Sequence, residues 1–143
     1  MIINGKIKLS GDKSISHRAL MISSISKGVS RISNLCNSQD VQSTINCLKL
    51  CGADIRLEGK NHLIGSSTLK SPAKILDCRN SGTTIRLLSG LLSGQGIQAH
   101  LSGDKSLMSR PMDRIINPLK SRLCCIRIKP LSKHDTYIHF KQN

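Results

Sequence analysis

Apolar residues recur at intervals of three and four in the segments 16–26, 41–50 and 83–93, which predicts three amphipathic helices. The third is the most regular, with Ile85, Leu88 and Leu92 on one face. Asp40 is predicted to cap the second helix at its N-terminus, because its side chain can accept a hydrogen bond from a free backbone N–H. The helices are therefore expected to bury one face each against a shared layer.

Short runs typical of strands lie between these helices. They are predicted at 6–9, 29–32, 55–57, 62–64, 73–76 and 97–101, and a further helix is predicted from 111 to about 117. The order strand, helix, strand, helix, strand, strand then begins again. This order predicts the α/β (α+β) class, with helices covering one face of mixed sheets.

A ten-residue segment occurs twice, at 9–18 and at 101–110. Both copies begin Leu-Ser-Gly-Asp-Lys-Ser and end in Arg, so seven of the ten positions are identical. The repeat predicts a duplicated structural unit, in which a strand ends in a Gly-Asp turn and leads into a helix.

The chain carries a formal net charge of +14, which favours anionic partners. Nucleic acid is disfavoured, because Tyr137 and Phe140 are the only Tyr, Phe or Trp residues available for base stacking. The six cysteines match no zinc spacing, and no secretory leader is recognised, so we expect reduced thiols in a cytoplasmic protein. No apolar run is long enough to predict a membrane span.

The first candidate binding segment is 11–18, where Lys13, Ser14 and Arg18 follow a Gly-Asp turn. Lys13 offers a point charge, Ser14 a hydroxyl and Arg18 a planar fork that can hold an oxyanion at two points. The alternative is an ordinary basic helix start. A second segment, 77–86, places Asn80 and Gly82 before a helix, where free N–H groups can bind an anion.

Three segments together resemble the EPSP synthase family (3-phosphoshikimate 1-carboxyvinyltransferases). Segment 13–18 resembles the family's Lys-Ser-x-Ser-x-Arg motif, and 80–86 resembles its Asn-Ser/Ala-Gly-Thr-x-x-Arg motif. Segment 106–112 resembles its Ser-Leu-x-x-Arg-Pro-Met motif. They occur in family order and cover roughly residues 6–120. The sibling family acting on UDP-N-acetylglucosamine fits the first segment less well but shares the fold.

The resemblance implies repeated βαβαββ units, which here would form an incomplete inside-out α/β barrel. It implies transfer of the enolpyruvyl group of phosphoenolpyruvate to the 5-hydroxyl of shikimate 3-phosphate, without metal or organic cofactor and mostly by monomers. Carried over by position, Lys13 would contact both substrates and be the catalytic candidate. Ser14 and Arg18 would hold shikimate 3-phosphate, and Asn80, Gly82 and Arg110 would hold phosphoenolpyruvate.

Two departures from the family pattern stand out. Arg79 occupies the position before Asn80 where the family usually has Gly, so it would strain the turn if a positive φ is needed there. Residues 121–143 show no family segment, which suggests a domain at 1–120 and an atypical tail, poorly ordered or produced by a frameshift in a decaying gene. We therefore expect no transfer by this chain alone. The alternative is a basic binding module without catalysis.

Overall fold

A computed structural model of the chain describes residues 4–65, 67–120, 124–132 and 135–142. Helices alternate with short strands in these ranges, which confirms the predicted α/β class. The helices are α1 (Lys13–Ile25), α2 (Gln39–Leu50), α3 (Gly82–Gly94), α4 (Lys105–Met108) and α5 (Asp113–Lys120). The strands are β1 (Ser30–Ser33), β2 (Ile55–Glu58), β3 (Asn61–Ile64), β4 (Leu76–Asp77), β5 (Ala99–Ser102), β6 (Cys124–Ser132) and β7 (Asp135–Gln142).

The strands form two sheets with related topologies. The first has the order β1-β3-β2, with both pairings antiparallel, and the second has the order β4-β5-β7-β6. In the second sheet β4 and β5 run parallel, joined by α3, and β7 runs antiparallel to both of its neighbours. The arrangement β1-β3-β2 therefore recurs as β5-β7-β6, with β4 added at the edge.

The strand predicted at 6–9 is absent, so the first unit lacks the element that β4 provides in the second. Residues 4–12 have no regular secondary structure, and the side chains of Ile7 and Leu9 are 88% and 75% exposed. Alternation of apolar and polar residues predicted this strand, but a strand also needs a paired backbone and a buried face. Neither condition is met here, which explains the wrong prediction.

The cap of α2 also differs from the prediction. Ser38 is the N-cap, and its hydroxyl accepts a hydrogen bond from the N–H of Val41 at 3.3 Å. Asp40 lies in the first turn instead, with its carboxylate free to bind a cation. Both residues are favoured capping types two positions apart, so composition alone does not distinguish them.

The core lies where α1, α2 and α3 pack against one another and against the sheets. It is built mainly from aliphatic side chains, as the near absence of aromatic residues predicts. Among the described residues, its largest fully buried members are Leu20, Leu48, Ile64, Leu76, Ile85, Leu88, Leu92, Leu101, Leu107 and the polar His17.

Three cysteines belong to this core as small hydrophobic side chains. Cys47, Cys51 and Cys78 are all at most 1% exposed. Burial raises the pKa of the Cys51 thiol to about 12, because the apolar surroundings disfavour the thiolate. At neutral pH it is therefore an uncharged thiol that packs in the core, in agreement with the expectation of reduced thiols.

The duplicated segment forms the same turn twice. The carboxylate of Asp12 accepts a hydrogen bond from the N–H of Ile15 at 2.8 Å, and that of Asp104 accepts one from Leu107 at 2.7 Å. The first copy leads into α1 and the second, after β5, into α4. The two copies occupy different places in their units, so what is repeated is the local turn together with its helix cap.

Each copy of the turn also packs a glycine against a backbone carbonyl of a neighbouring loop. A Cβ at Gly11 would clash with the carbonyl oxygen of Asn34, and a Cβ at Gly103 would clash with that of Arg79. Asn34 and Arg79 are the non-glycine residues with positive φ in the described ranges, at 53° and 50°. Glycine is therefore required in both turns by the close approach of a left-handed neighbour.

Candidate functional site

The N-termini of α1, α2 and α3 meet at one end of the molecule. Lys13, the first residue of α1, donates from Nζ to the carboxylate of Asp40 in the first turn of α2 at 2.8 Å. The backbone carbonyl of Asp40 in turn accepts from the hydroxyl of Thr84, in the first turn of α3, at 3.2 Å. Since helix N-termini carry free N–H groups and a partial positive charge, this end of the molecule is suited to binding an anion.

Two guanidinium groups approach the start of α3. A Cβ at Gly82 would lie 3.3 Å from Nη1 of Arg110 and 3.5 Å from Nη1 of Arg86. Arg110 also donates to the side-chain oxygen of Asn80, which fixes its orientation next to the helix. Glycine thus leaves the N-terminus of α3 open between two planar cations, a geometry matched to phosphate or carboxylate.

Lys13 remains accessible despite its ion pair. Its side chain is 51% exposed and that of Asp40 is 31% exposed. The hydrogen bond that Lys13 donates to Asp40, together with the negative charge of that carboxylate, raises the pKa of Lys13, so the ammonium group is fully protonated at neutral pH. An incoming anion would therefore meet a charged lysine held at the mouth of α1.

Ser14 and Arg18 lie one turn apart on α1, and both are exposed. Nη1 of Arg18 donates to the backbone carbonyl of Ser14 at 3.1 Å, so the guanidinium folds back toward the start of its own helix. Arg18 also borders a groove of about 380 Å³ between α1 and α3, which is lined mainly by apolar residues such as Met21 and Leu87. These two residues therefore lie on the same helix end as Lys13.

A buried chain of hydroxyl groups, which the sequence pattern did not predict, connects the three helices. Nδ1 of His17 lies 2.7 Å from Oγ1 of Thr44, which lies 2.8 Å from Oγ1 of Thr84. Thr84 is also 2.7 Å from the hydroxyl of Ser81, the N-cap of α3. His17 stands three positions before Leu20 on the predicted apolar face of α1, and this spacing was the one available signal of its burial.

The aspartates near these turns are already engaged. Asp12 and Asp104 cap helices, Asp77 accepts from the N–H of Arg79 at 2.8 Å, and Asp40 pairs with Lys13. Asp113 stands in the first turn of α5. These carboxylates therefore contribute to helix ends and to an ion pair.

The described part of the chain shows neither a metal-binding cluster nor a membrane-spanning helix. Within that part, no group of three or more His, Cys, Asp or Glu side chains is placed to hold a metal ion. The helices described there include none that is long and apolar enough to cross a membrane.

Comparison with known proteins identifies the family. The family model for EPSP synthase (3-phosphoshikimate 1-carboxyvinyltransferase) matches residues 2–131. The chain belongs to the EPSP synthase family. This match includes residues 121–131, for which no resemblance was recognised from the sequence alone. The division into a domain at 1–120 and a tail at 121–143 stays a prediction. Of the segment 121–143, residues 121–123, 133–134 and 143 lie outside the described ranges.

Relatives and solved structures agree with this assignment. The chain is 50% identical over 119 residues to a 3-phosphoshikimate 1-carboxyvinyltransferase from Thermoanaerobacter sp. (strain X514) and 49% identical over 121 residues to one from Alkaliphilus metalliredigens. Each match covers 82% of this chain and 28% of the relative. A solved EPSP synthase from Acinetobacter baumannii superposes with a TM-score of 0.80 at 34% identity, covering 96% of this chain and 32% of the other. The chain thus spans less than a third of the length of these proteins.

Arg79 is where the chain departs from the EPSP synthase motif, and its backbone is left-handed with φ of 50°. Both backbone groups of Arg79 are hydrogen-bonded. Its N–H donates to the carboxylate of Asp77, and its carbonyl accepts from the N–H of Asp104, each at 2.8 Å. The condition stated from sequence, that strain arises if φ must be positive, is therefore met. The side chain itself is exposed, so the strain lies in the backbone.

Proposed function

We propose that this chain supplies an anion-binding half-site for the EPSP synthase reaction, in which the enolpyruvyl group of phosphoenolpyruvate moves to the 5-hydroxyl of shikimate 3-phosphate and phosphate is released. The observation that supports the proposal is the packing of three helix N-termini, where Lys13 pairs with Asp40 and where Arg110 lies beside Gly82. Both substrates carry a phosphate and a carboxylate. A preorganised cluster of cations and helix N-termini is the type of site that they require.

The roles divide along the two helix ends. Lys13, Ser14 and Arg18 on α1 bind shikimate 3-phosphate, with Lys13 also reaching the second substrate. Asn80, Gly82 and Arg110 bind phosphoenolpyruvate at the start of α3. Arg86 is a further cation beside Gly82 and has a supporting role there.

The half-site alone does not perform the transfer. The reaction needs one proton delivered to carbon and another removed from the attacking hydroxyl, so it needs positioned acid–base groups. Among the described residues at the site, Asp40 is paired with Lys13, and Asp12 and Asp77 bind backbone N–H groups. A cleft with one wall also keeps the reactants in water, where charge stabilisation is weak.

Calorimetric titration of the purified chain with shikimate 3-phosphate tests the binding proposal. Lys13→Ala is expected to weaken binding roughly tenfold, because it removes a charge-assisted contact. Lys49→Ala is the matched control, since this exposed lysine lies in the last turn of α2, at the opposite end of that helix from Asp40. Equal losses in the two variants would contradict a localised site and favour binding through net charge.

Two further measurements test this function, and the first separates it from the alternative of a nucleic-acid-binding module. Binding to duplex DNA that falls steeply with added salt and outcompetes shikimate 3-phosphate would support the alternative. Phosphate release with both substrates present is expected to stay at background. Turnover above background that Lys13→Ala abolishes would overturn the description of the chain as a half-site.

A further inference from the structure

The buried chain of polar groups that starts at His17 leads toward the anion-binding end. His17 is fully buried, and the polar path runs from its Nδ1 through the hydroxyls of Thr44 and Thr84. It ends at the backbone carbonyl of Asp40, whose carboxylate holds Lys13. The path therefore joins the interiors of α1, α2 and α3 to the residue that orients the lysine.

Counting protons fixes the direction of this path. Each hydroxyl has one proton, and that of Thr84 is donated either to the hydroxyl oxygen of Ser81, at 2.7 Å, or to the carbonyl oxygen of Asp40, at 3.2 Å. Thr84 must then accept from Thr44, across the 2.8 Å contact between their oxygens. Because the proton of Thr44 lies in this contact, Thr44 must accept a hydrogen bond from His17.

This direction also accounts for Ser81. Its oxygen accepts from the hydroxyl of Thr84 at 2.7 Å and from the N–H of Thr84 at 3.1 Å. Every contact shorter than 3 Å in the cluster then contains one proton. The opposite direction, with Thr44 donating to His17, forces Thr84 to donate to Thr44 and leaves Thr84 no proton for Ser81 or for the carbonyl of Asp40.

The other ring nitrogen of His17 points to the same tautomer. Nε2 is buried and has no hydrogen-bond partner among the described residues. If Nε2 carried the proton, a donor N–H would be buried without an acceptor, and native proteins rarely tolerate this. An unpaired lone pair on Nε2 is the smaller penalty.

We propose that His17 is a positioning residue for the anion-binding site, acting as a neutral imidazole protonated at Nδ1. It donates to Thr44, and the relay through Thr84 fixes the first turn of α2 against the first turn of α3. This holds Asp40, and through it Lys13, in place beside the N-terminus of α3. The proposal rests on the proposed function, because it assigns His17 and Thr44 to the support of that same site.

Nitrogen-15 NMR of the chain labelled at histidine tests the tautomer directly. A neutral ring with its proton on Nδ1 supports the relay. A proton on Nε2 overturns it, because Thr44 would then donate to His17, and Thr84 would have to donate to Thr44 with no proton left for Ser81 or Asp40. This readout needs no ligand, so it decides the relay even if the chain fails to bind shikimate 3-phosphate, a failure that would count against the proposed function alone.

Substitution of Thr44 tests the positioning effect. Thr44→Val keeps the shape of the side chain but cannot donate to Thr84, and it is expected to weaken binding of shikimate 3-phosphate about tenfold. Thr44→Ser keeps the hydroxyl and should stay within about twofold of the unchanged chain. Both titrations are run well below the unfolding temperature of each variant, so that a loss of stability alone does not alter the affinity. Equal affinity of Thr44→Val and the unchanged chain would overturn the positioning role.

Discussion

At the scale of single residues, the site depends on a few side chains whose surroundings are set by neighbouring helices. Lys13 is charged and accessible because Asp40 pairs with it at the surface. His17 has the reverse setting, since it lies in the core and contacts Thr44. Exposure thus separates Lys13, which is proposed to contact the ligand, from His17, which is proposed to position Lys13.

Arg79→Gly is expected to stabilise the chain. A left-handed backbone costs a non-glycine residue about 1–2 kcal/mol, and glycine gives back part of this through a more flexible unfolded state, so the net gain should be about 0.5–1 kcal/mol. Asn34→Gly is the control, because asparagine tolerates the same conformation. Denaturant unfolding measures both. No gain for Arg79→Gly relative to Asn34→Gly would show that Arg79 is unstrained.

His17 predicts a pH dependence of stability. Burial is the largest influence and lowers the pKa of His17, as do the charges of Lys13 and Arg18, while Asp40 opposes them. With the folded pKa below the unfolded value of 6.5, the unfolded chain binds the proton more readily. The free energy of unfolding should therefore fall as pH drops below 6.5.

The matched variant for this effect is His17→Asn, which has no titrating ring. Denaturant unfolding at pH 7.5 and pH 5.5 is expected to show a smaller difference for His17→Asn than for the unchanged chain. The same difference in both proteins would assign the pH dependence to other groups.

At the scale of helices and strands, local patterns predicted most of the elements. Apolar spacing placed α1, α2 and α3, and the motif segments 11–18 and 77–86 located the helix ends that carry the candidate site. The strand expected at 6–9 failed, because alternation of apolar and polar residues says nothing about whether a partner strand lies alongside. The contact of His17 with Thr44 escaped prediction for a related reason, since it depends on the packing of two helices.

Two glycines should respond to alanine in opposite ways. Gly90 lies inside α3, where a Cβ would meet nothing within 4 Å, so Gly90→Ala should stabilise the helix by about 1 kcal/mol. Gly103 packs against the carbonyl of Arg79 and the side chain of Leu107, so Gly103→Ala should destabilise by about 1–3 kcal/mol. Thermal unfolding compares them, and a destabilising Gly90→Ala would contradict the described packing of α3.

At the scale of the whole molecule, the net charge of +14 can favour one anion over another only where the fold brings several cations together. Arg86 and Arg110 lie beside Gly82 at the N-terminus of α3, and Lys13 pairs with Asp40, whose carbonyl accepts from Thr84 in the first turn of that helix. Long-range attraction would draw many anions to such a chain, but the short-range geometry favours a ligand with a phosphate and a neighbouring carboxylate. The position at which a ligand of this kind binds is therefore the property to measure.

Amide NMR during titration with shikimate 3-phosphate tests this most directly. Shikimate, which lacks the phosphate, serves as the matched ligand. We expect shikimate 3-phosphate to shift the signals of residues in the first turns of α1 and α3, with Ser14 and Thr83 among the largest, and shikimate to shift them far less. Shifts of similar size at basic residues remote from these turns, such as Arg31 and Lys49, would contradict a built site at the three helix N-termini.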